Sequence, residues 1–304
     1  MLTALQLTPM NLITLSKIVS ELPLVVLHGI GWLVGWFAYC TSAGYRRLFR
    51  EMLTQAIGSQ HPEFHQILRQ SIGETGKGLL ELPYVWFRSS ERCASKKVIC
   101  DDWHVIEKYR LENRPIVFLT PHMGCFEVAA QALALRIPIT VLYRPNRNPA
   151  MQTMIEAHRA RANLELAPTD LSGVRKLMKA LKRHQSVGIL PDQVPSNGEG
   201  VWVPSWGRPA YTMVLPAKLQ KQSNAVVVMA VAARLSWGRG WRLRFIDVPA
   251  PLPDSIEEAT AFLNREIERV VMMYPTQYYW SYDRYKVPAG VAPFQGAIEE
   301  DKQA

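Results

Sequence analysis

From Leu22 to Cys40 the chain reads LPLVVLHGIGWLVGWFAYC, without a single Lys, Arg, Asp or Glu. As a helix this run of about 19 residues would cross most of a ~30 Å hydrocarbon layer. In water it would have to bury every side of itself. Trp32, Trp36 and Tyr39 suit an interfacial end. Arg46, Arg47 and Arg50 follow, whereas the preceding segment offers only Lys17 against Glu21, so the positive-inside bias places the bulk of the protein in the cytoplasm. A cleaved signal peptide fits less well, because the apolar run starts late and lacks a small-x-small site before a mature start. Gly29, Gly31, Gly35 and His28 keep open a second arrangement, a buried or in-plane helix. The expected division is a membrane anchor over 1–45 and a cytoplasmic domain over 46–304.

The remainder alternates between short apolar runs and helical periodicity. Ile116–Leu119, Ile139–Tyr143, Val187–Leu190, Ala225–Ala232 and Trp241–Asp247 read as strands. Ala150–Arg161, Leu171–His184, Pro209–Gln222 and a long segment from Asp254 to about Tyr274 read as helices, with Thr169 or Asp170 and the pair Asp254 and Glu257 as caps. Glu63–Arg69 has helical character, which Gly73, Gly76 and Gly78 loosen. This order predicts an α/β fold with a mixed central sheet flanked by helices. Hydrophobic residues at 48% and charged residues at 20% exclude a disordered chain. A net charge of +9 suits acidic carrier proteins, phosphorylated lipids, an anionic membrane surface or nucleic acid. With no nucleic-acid-binding motif present, nucleic acid is not expected as a partner.

The stretch with chemical content is Pro115–Val128, PIVFLTPHMGCFEV. A buried strand ends at Pro121, His122 follows at once, and Glu127 opens an Ala-rich helix. Residues five apart on a regular helix lie roughly 140° around its axis, so His122 can face Glu127 only from the turn before the helix. From there Glu127 is expected to accept from one ring nitrogen and leave the other to take a proton from a hydroxyl. The alternative is a helix-capping His beside a solvated Glu. The four cysteines, Cys40, Cys93, Cys100 and Cys125, have neither metal-ligand spacing nor disulfide density and read as reduced thiols. Cys125 is near enough to His122 to be considered as a nucleophile, but its setting is that of a small packing residue. Arg175, Lys176, Lys179, Lys182 and Arg183 lie opposite an apolar stripe on one helix, a face suited to an acidic carrier protein or simply to water. Trp202, Trp206, Trp237 and Trp241 are candidates for the wall of an apolar pocket or for the bilayer surface, with core packing the default for each.

Four segments stand in a recognisable order: TPHMGCFE at Thr120–Glu127, YRPNRNP at Tyr143–Pro149, LPDQ at Leu190–Gln193 and VPSWGRPAYT at Val203–Thr212. With the closing YYWSYDRYK at Tyr278–Lys286, the chain resembles, over nearly its whole length, the lipid A biosynthesis late acyltransferase family. The resemblance implies transfer of a lauroyl or myristoyl chain from acyl carrier protein to a lipid A precursor at the inner membrane, with the catalytic domain facing the cytoplasm. It implies His122 as general base with Glu127 as its acidic partner, Arg159 as an active-site arginine with Arg161 as a neighbour to test, and Asp192 as a further acidic position. Arg144 and Asn146 fall in the acceptor-side motif, and Gln193 and Arg208 in motifs expected to touch substrate. No metal or organic cofactor is implied, since acyl carrier protein is itself the co-substrate. Ser205 and Trp206 replace a common pair of phenylalanines, and Asp283 interrupts a usually basic pair. Lysophospholipid or amino-acid-lipid acceptors, hydrolysis, and a non-catalytic lipid-binding protein are the competing readings.

Overall fold

A computed structural model describes residues 9–146, 148–159 and 161–296. Among these the helices are α1 (Pro9–Ser20), α2 (Leu24–Thr41), α3 (Ala43–Ile57), α4 (Phe64–Phe87), α5 (Trp103–Leu111), α6 (Phe126–Ala134), α7 (Pro149–Arg159), α8 (Leu171–Lys182), α9 (Leu215–Ser223) and α10 (Ile256–Val271). The strands are β1 (Val98–Ile99), β2 (Ile116–Leu119), β3 (Ile139–Tyr143), β4 (Leu164–Pro168), β5 (Ser186–Ile189), β6 (Gly200–Ser205), β7 (Arg208–Met213), β8 (Val226–Arg234) and β9 (Trp241–Asp247). Strands β1-β9-β8-β2-β5-β3-β4 form one sheet, parallel throughout except between β8 and β9. The expected mixed α/β architecture is therefore present.

Helices cover both faces, which explains why the central strands read as unbroken apolar runs. Val117, Leu119, Val187 and Ile189 point into one core with α8, α9 and α10. Ile116, Phe118, Val228 and Ala230 point into the other, with α5 and α6. In a sheet of this kind ligands gather at the C-terminal strand ends, and there β2 and β5 deliver Thr120–Cys125 and Leu190–Gln193 side by side.

The glycines at 73, 76 and 78 do not loosen the helix as predicted; α4 runs unbroken through them and through Pro83. They are needed for close approach to α2. A Cβ on Gly35 would lie 2.2 Å from the Ile72 carbonyl oxygen, one on Gly76 2.0 Å from that of Gly31, and one on Gly73 1.9 Å from the Trp32 ring. The two helices thus meet backbone to backbone, the packing that small residues four apart permit. One face of α2 (Leu24, Leu27, His28, Gly31, Gly35, Tyr39) is buried against the protein. The other presents Val26, Ile30, Leu33 and Phe37 outward, the last two about 70% exposed. By length and composition α2 is able to cross a membrane.

A second correction concerns VPSWGRPAYT. The predicted helix from Pro209 begins only at Leu215, and Val203–Thr212 lies instead in the antiparallel β6–β7 hairpin. Trp206 and Gly207, at φ of 50° and 73°, form the two-residue turn whose twist matches a hairpin. Strand β4 follows from no periodicity in the sequence, and the cap of α10 is Ser255, accepting from Glu258 N–H, rather than Asp254.

Candidate active site

Pro121 stops β2, and the chain turns through His122–Cys125 into α6. The turn is held on both sides by backbone. Cys125 N–H donates to Ala232 at 2.9 Å, Gly124 N–H to Gln277 at 3.0 Å, and Tyr279 N–H to the His122 carbonyl at 3.0 Å. Gly124 has φ +56°, and a Cβ there would sit 2.1 Å from the Ala232 oxygen, so only glycine fits. His122 does lie on the turn before the helix, as required for a base at this junction.

Its partner, however, is Asp192. Nδ1 of His122 is 2.7 Å from Oδ1 of Asp192, and Oδ2 accepts from the His122 backbone N–H at 2.9 Å. The register explains the meeting: Leu119 pairs with Ile189 across β2 and β5, so residues at equal distance beyond the two strand ends, 122 and 192, fall side by side. An ionised carboxylate can only accept, so Nδ1 carries the proton and Nε2 is the basic nitrogen. Burial alone would raise the Asp192 pKa, but the charge and hydrogen bonds of His122 outweigh it and hold the carboxyl below its ordinary value. The Tyr278 phenol faces the same carboxylate. Burial, then the Asp192 charge and hydrogen bond, push its pKa well above the usual range.

The expected hydrogen bond from His122 to Glu127 is not formed. Glu127 lies in the first turn of α6 and pairs with Arg159 at the end of α7, Nη2 to Oε1 at 2.7 Å and Nε to Oε2 at 3.0 Å. Both members are largely buried, and the two-pronged geometry fixes the guanidinium plane. Glu127 therefore orients Arg159 rather than the imidazole.

Two cavities meet at His122 and Phe126. One, of about 280 Å³, is the more polar of the two, with Glu127, Arg144, Arg159, Gln193 and Glu199 set among apolar lining residues such as Leu142, Leu190 and Met213. The other, of about 370 Å³, is mostly apolar and runs between α2 and α4 past Val34, Ala38, Thr75, Leu79 and Leu82 to Tyr278 and Tyr279. Sequence reasoning assigned no site role to Tyr278 and Gln277; the aromatic C-terminal segment was the only signal for them.

Three predicted substrate-binding residues are placed elsewhere. Arg161 is half-buried against the end of α4, donating to the Trp86 and Arg88 carbonyls and to Ser90 Oγ. Asn146 accepts from Asn148 N–H, shaping the turn into α7. Arg208 sits at the hairpin turn, stacked on Tyr285 and facing Glu51 at 3.5 Å. The tryptophans do not wall either cavity: Trp241 is core, Trp206 packs on Trp280, Trp202 on Tyr211, and Trp237 is 84% exposed. Cys125 is buried, and burial drives its thiol pKa well above the ordinary value, the reverse of an activated nucleophile.

Residues 8–287 match the family model of bacterial lipid A biosynthesis acyltransferases. This chain is a member of that family. It is 26% identical over 278 residues to the lipid A biosynthesis lauroyltransferase of Escherichia coli K12, covering 90% of each chain. It is 24% identical over 274 residues to the lipid A biosynthesis palmitoleoyltransferase of the same organism, covering 89% of this chain and 88% of the relative. To a lipid A biosynthesis acyltransferase of Haemophilus influenzae it is 27% identical over 276 residues, 87% of this chain and 86% of the relative. Membership makes the protein an acyltransferase.

Proposed function

We propose that this family member moves a fatty acyl chain from the thioester of acyl carrier protein to a hydroxyl of a lipid A precursor, with His122 as general base oriented by Asp192. The observation that carries the reading is the base itself. An imidazole whose Nδ1 is tied to a buried carboxylate, leaving Nε2 for substrate, belongs to a residue that lines both cavities. A hydroxyl has a pKa far above 7, so its proton must leave as its oxygen attacks. Nε2 accepts that proton as the new C–O bond forms, and the imidazolium returns it to the thiolate when the C–S bond breaks.

The negative oxygen of the tetrahedral intermediate needs a preorganised cation or N–H donors. Arg159, held rigid by Glu127 on the polar wall, fills that role or grips an acceptor phosphate beside Arg144. The apolar cavity suits the acyl chain. Its walls belong to α2 and α4, and the outward face of α2 is apolar, so the acceptor reaches His122 from a membrane surface along which α2 lies. This reading keeps residues 1–45 as the anchor and the remainder as a cytoplasmic domain at the inner membrane.

Purified full-length protein in detergent micelles, given acyl carrier proteins of several chain lengths with a lipid A precursor and a lysophospholipid in parallel, tests the proposal by mass spectrometry. An acylated lipid A precursor is expected. Product only from the lysophospholipid, or free fatty acid as the main product, overturns it.

A further inference from the structure

Behind the His122 turn lies a group of buried charges to which the chemistry above gives no role, although Arg234, Glu74 and the neighbouring Gln277 border the apolar cavity. Glu81 on α4 is fully buried and accepts three hydrogen bonds: from His28 Nε2 on α2 at 2.8 Å, from Trp241 Nε1 on β9 at 2.9 Å and from Arg234 Nε on β8 at 2.7 Å. Arg234 continues the chain of contacts. Its Nη1 faces Glu74 of α4 at 3.3 Å, and its Nη2 donates to the Gly124 carbonyl, two residues from His122, at 2.5 Å. Gln277 clasps the backbone of Arg234 from both sides, accepting from its N–H at 2.7 Å and donating to its carbonyl at 3.2 Å. Gly78 makes room, since a Cβ there would lie 2.7 Å from Arg234 Nη2.

Buried ion pairs give little net stability, because the desolvation of both partners offsets their attraction. A single apolar side chain would fill this space at lower cost but would leave the Gly124 carbonyl without its Arg234 donor. Only a planar, multi-pronged cation reaches a carboxylate on α4 and a backbone oxygen of the catalytic turn together.

Building on the acyl-transfer reading, we infer that Arg234 is a positioning residue: it ties the catalytic turn to α4 and, through Glu81 and His28, to the anchor helix α2, and so sets the direction of the His122 imidazole. Helix α2 is then part of the frame of the active site as well as a membrane contact. A misplacement of a catalytic group by about 1 Å is enough to cost on the order of a hundredfold in rate, so losing one prong of this clamp has a kinetic signature.

The decisive variant is R234K in full-length protein. A lysine keeps the charge opposite Glu81 and Glu74 but cannot also reach the Gly124 oxygen. Steady-state turnover of acyl carrier protein thioester and lipid A precursor in micelles is expected to show kcat at least about tenfold lower, with KM for both substrates within about twofold of wild type. W241F, which removes a different hydrogen bond to Glu81 and does not touch the turn, serves as the structural control. It is expected to lower the melting temperature at least as much as R234K while losing less than about threefold in kcat. H28L, which cuts α2 out of the network, is expected to lower kcat by about threefold or more without loss of binding to anionic vesicles. If R234K proves unstable, Q277A at its half-exposed position loosens the Arg234 backbone and must by itself slow kcat more than about threefold at unchanged KM. Turnover within about twofold of wild type in folded R234K or in Q277A overturns the inference, as do losses that simply follow melting temperature across the series. A wild-type enzyme that turns over neither substrate pair would instead defeat the acyl-transfer reading on which the inference rests.

Discussion

Asp192 and Glu127 are both buried acids close to the His122 turn, and the structure gives them different partners. Asp192 fixes the tautomer of His122, so D192N, which exchanges an obligate acceptor for an amide able to present its donor side to Nδ1, is expected to cut kcat by roughly 10²–10⁴. Steady-state kinetics on folded protein check this. Its depressed native pKa also carries a pH signature. A group bound more tightly as its anion adds stability above its unfolded pKa of about 3.9 and loses it as pH falls through the lower native value. The melting-temperature advantage of wild type over D192N should therefore be full at neutral pH, begin to shrink only below roughly pH 4, and disappear once the pH has fallen through the depressed native value. Glu127 acts on Arg159, so E127Q and R159M should be strongly non-additive, with a coupling above about 1 kcal/mol in log kcat/KM, whereas E127Q and D192N should combine nearly additively. Coupling of E127Q to D192N instead would restore the His122–Glu127 pairing that the sequence suggests. His122 is legible because strand, stop and helix start are contiguous; Asp192 as its partner is not, because their meeting depends on β2 lying beside β5 and joins residues 70 positions apart.

At the scale of elements, apolar runs reveal strands only where both faces are covered. That is why β2, β3, β5 and β8, buried throughout, are legible and β4, with Glu165 exposed and Leu166 half-exposed, is not; β9 shows instead by alternation, with Trp241, Leu243 and Phe245 buried and Arg242 and Arg244 half-exposed between them. Glycines are ambiguous in the same way. In α4 they signal a break by propensity, and their role in admitting α2 becomes visible only with the partner in place. Gly35→Ala should destabilise the protein by about 1–3 kcal/mol through forced separation of α2 and α4. Gly44→Ala, in the exposed first turn of α3 with open space around it, should stabilise by up to about 0.5–1 kcal/mol. Thermal melts of the two variants should therefore shift in opposite directions. Helix α8 is legible for a different reason: Asp170 caps it, Leu177 and Leu181 of its apolar stripe are buried, and Arg175, Lys176, Lys179, Lys182 and Arg183 are all exposed. If that face steers an acidic carrier, the charge reversal K179E/K182E should raise KM for acyl carrier protein about fivefold or more at low salt, with the difference shrinking as ionic strength rises. An unchanged KM would make α8 a merely solvated surface.

For the molecule as a whole, helix α2 and the sheet share one cavity. The apolar cavity begins at His122, at the C-terminal end of β2, and is closed along its length by Val34, Gly35 and Ala38 of α2 and by Thr75, Gly76 and Leu79 of α4. Its depth is thus set by how closely two helices pack, a property of three-dimensional contact that the order of residues does not expose. Ala38 is half-buried and lines this cavity, so a larger side chain at that position fills the groove without disturbing the glycine contact at Gly35. Ala38→Phe is expected to shift preference toward shorter acyl chains. Offered an equimolar mixture of long- and short-chain acyl carrier proteins, the variant should reverse the wild-type product ratio by about tenfold or more, since each methylene excluded from an apolar site is worth roughly 1 kcal/mol or more. Mass spectrometry of the products measures this directly. A uniform loss of activity at every chain length, with the ratio unmoved, would place the acyl chain outside this groove and leave α2 as an anchor alone.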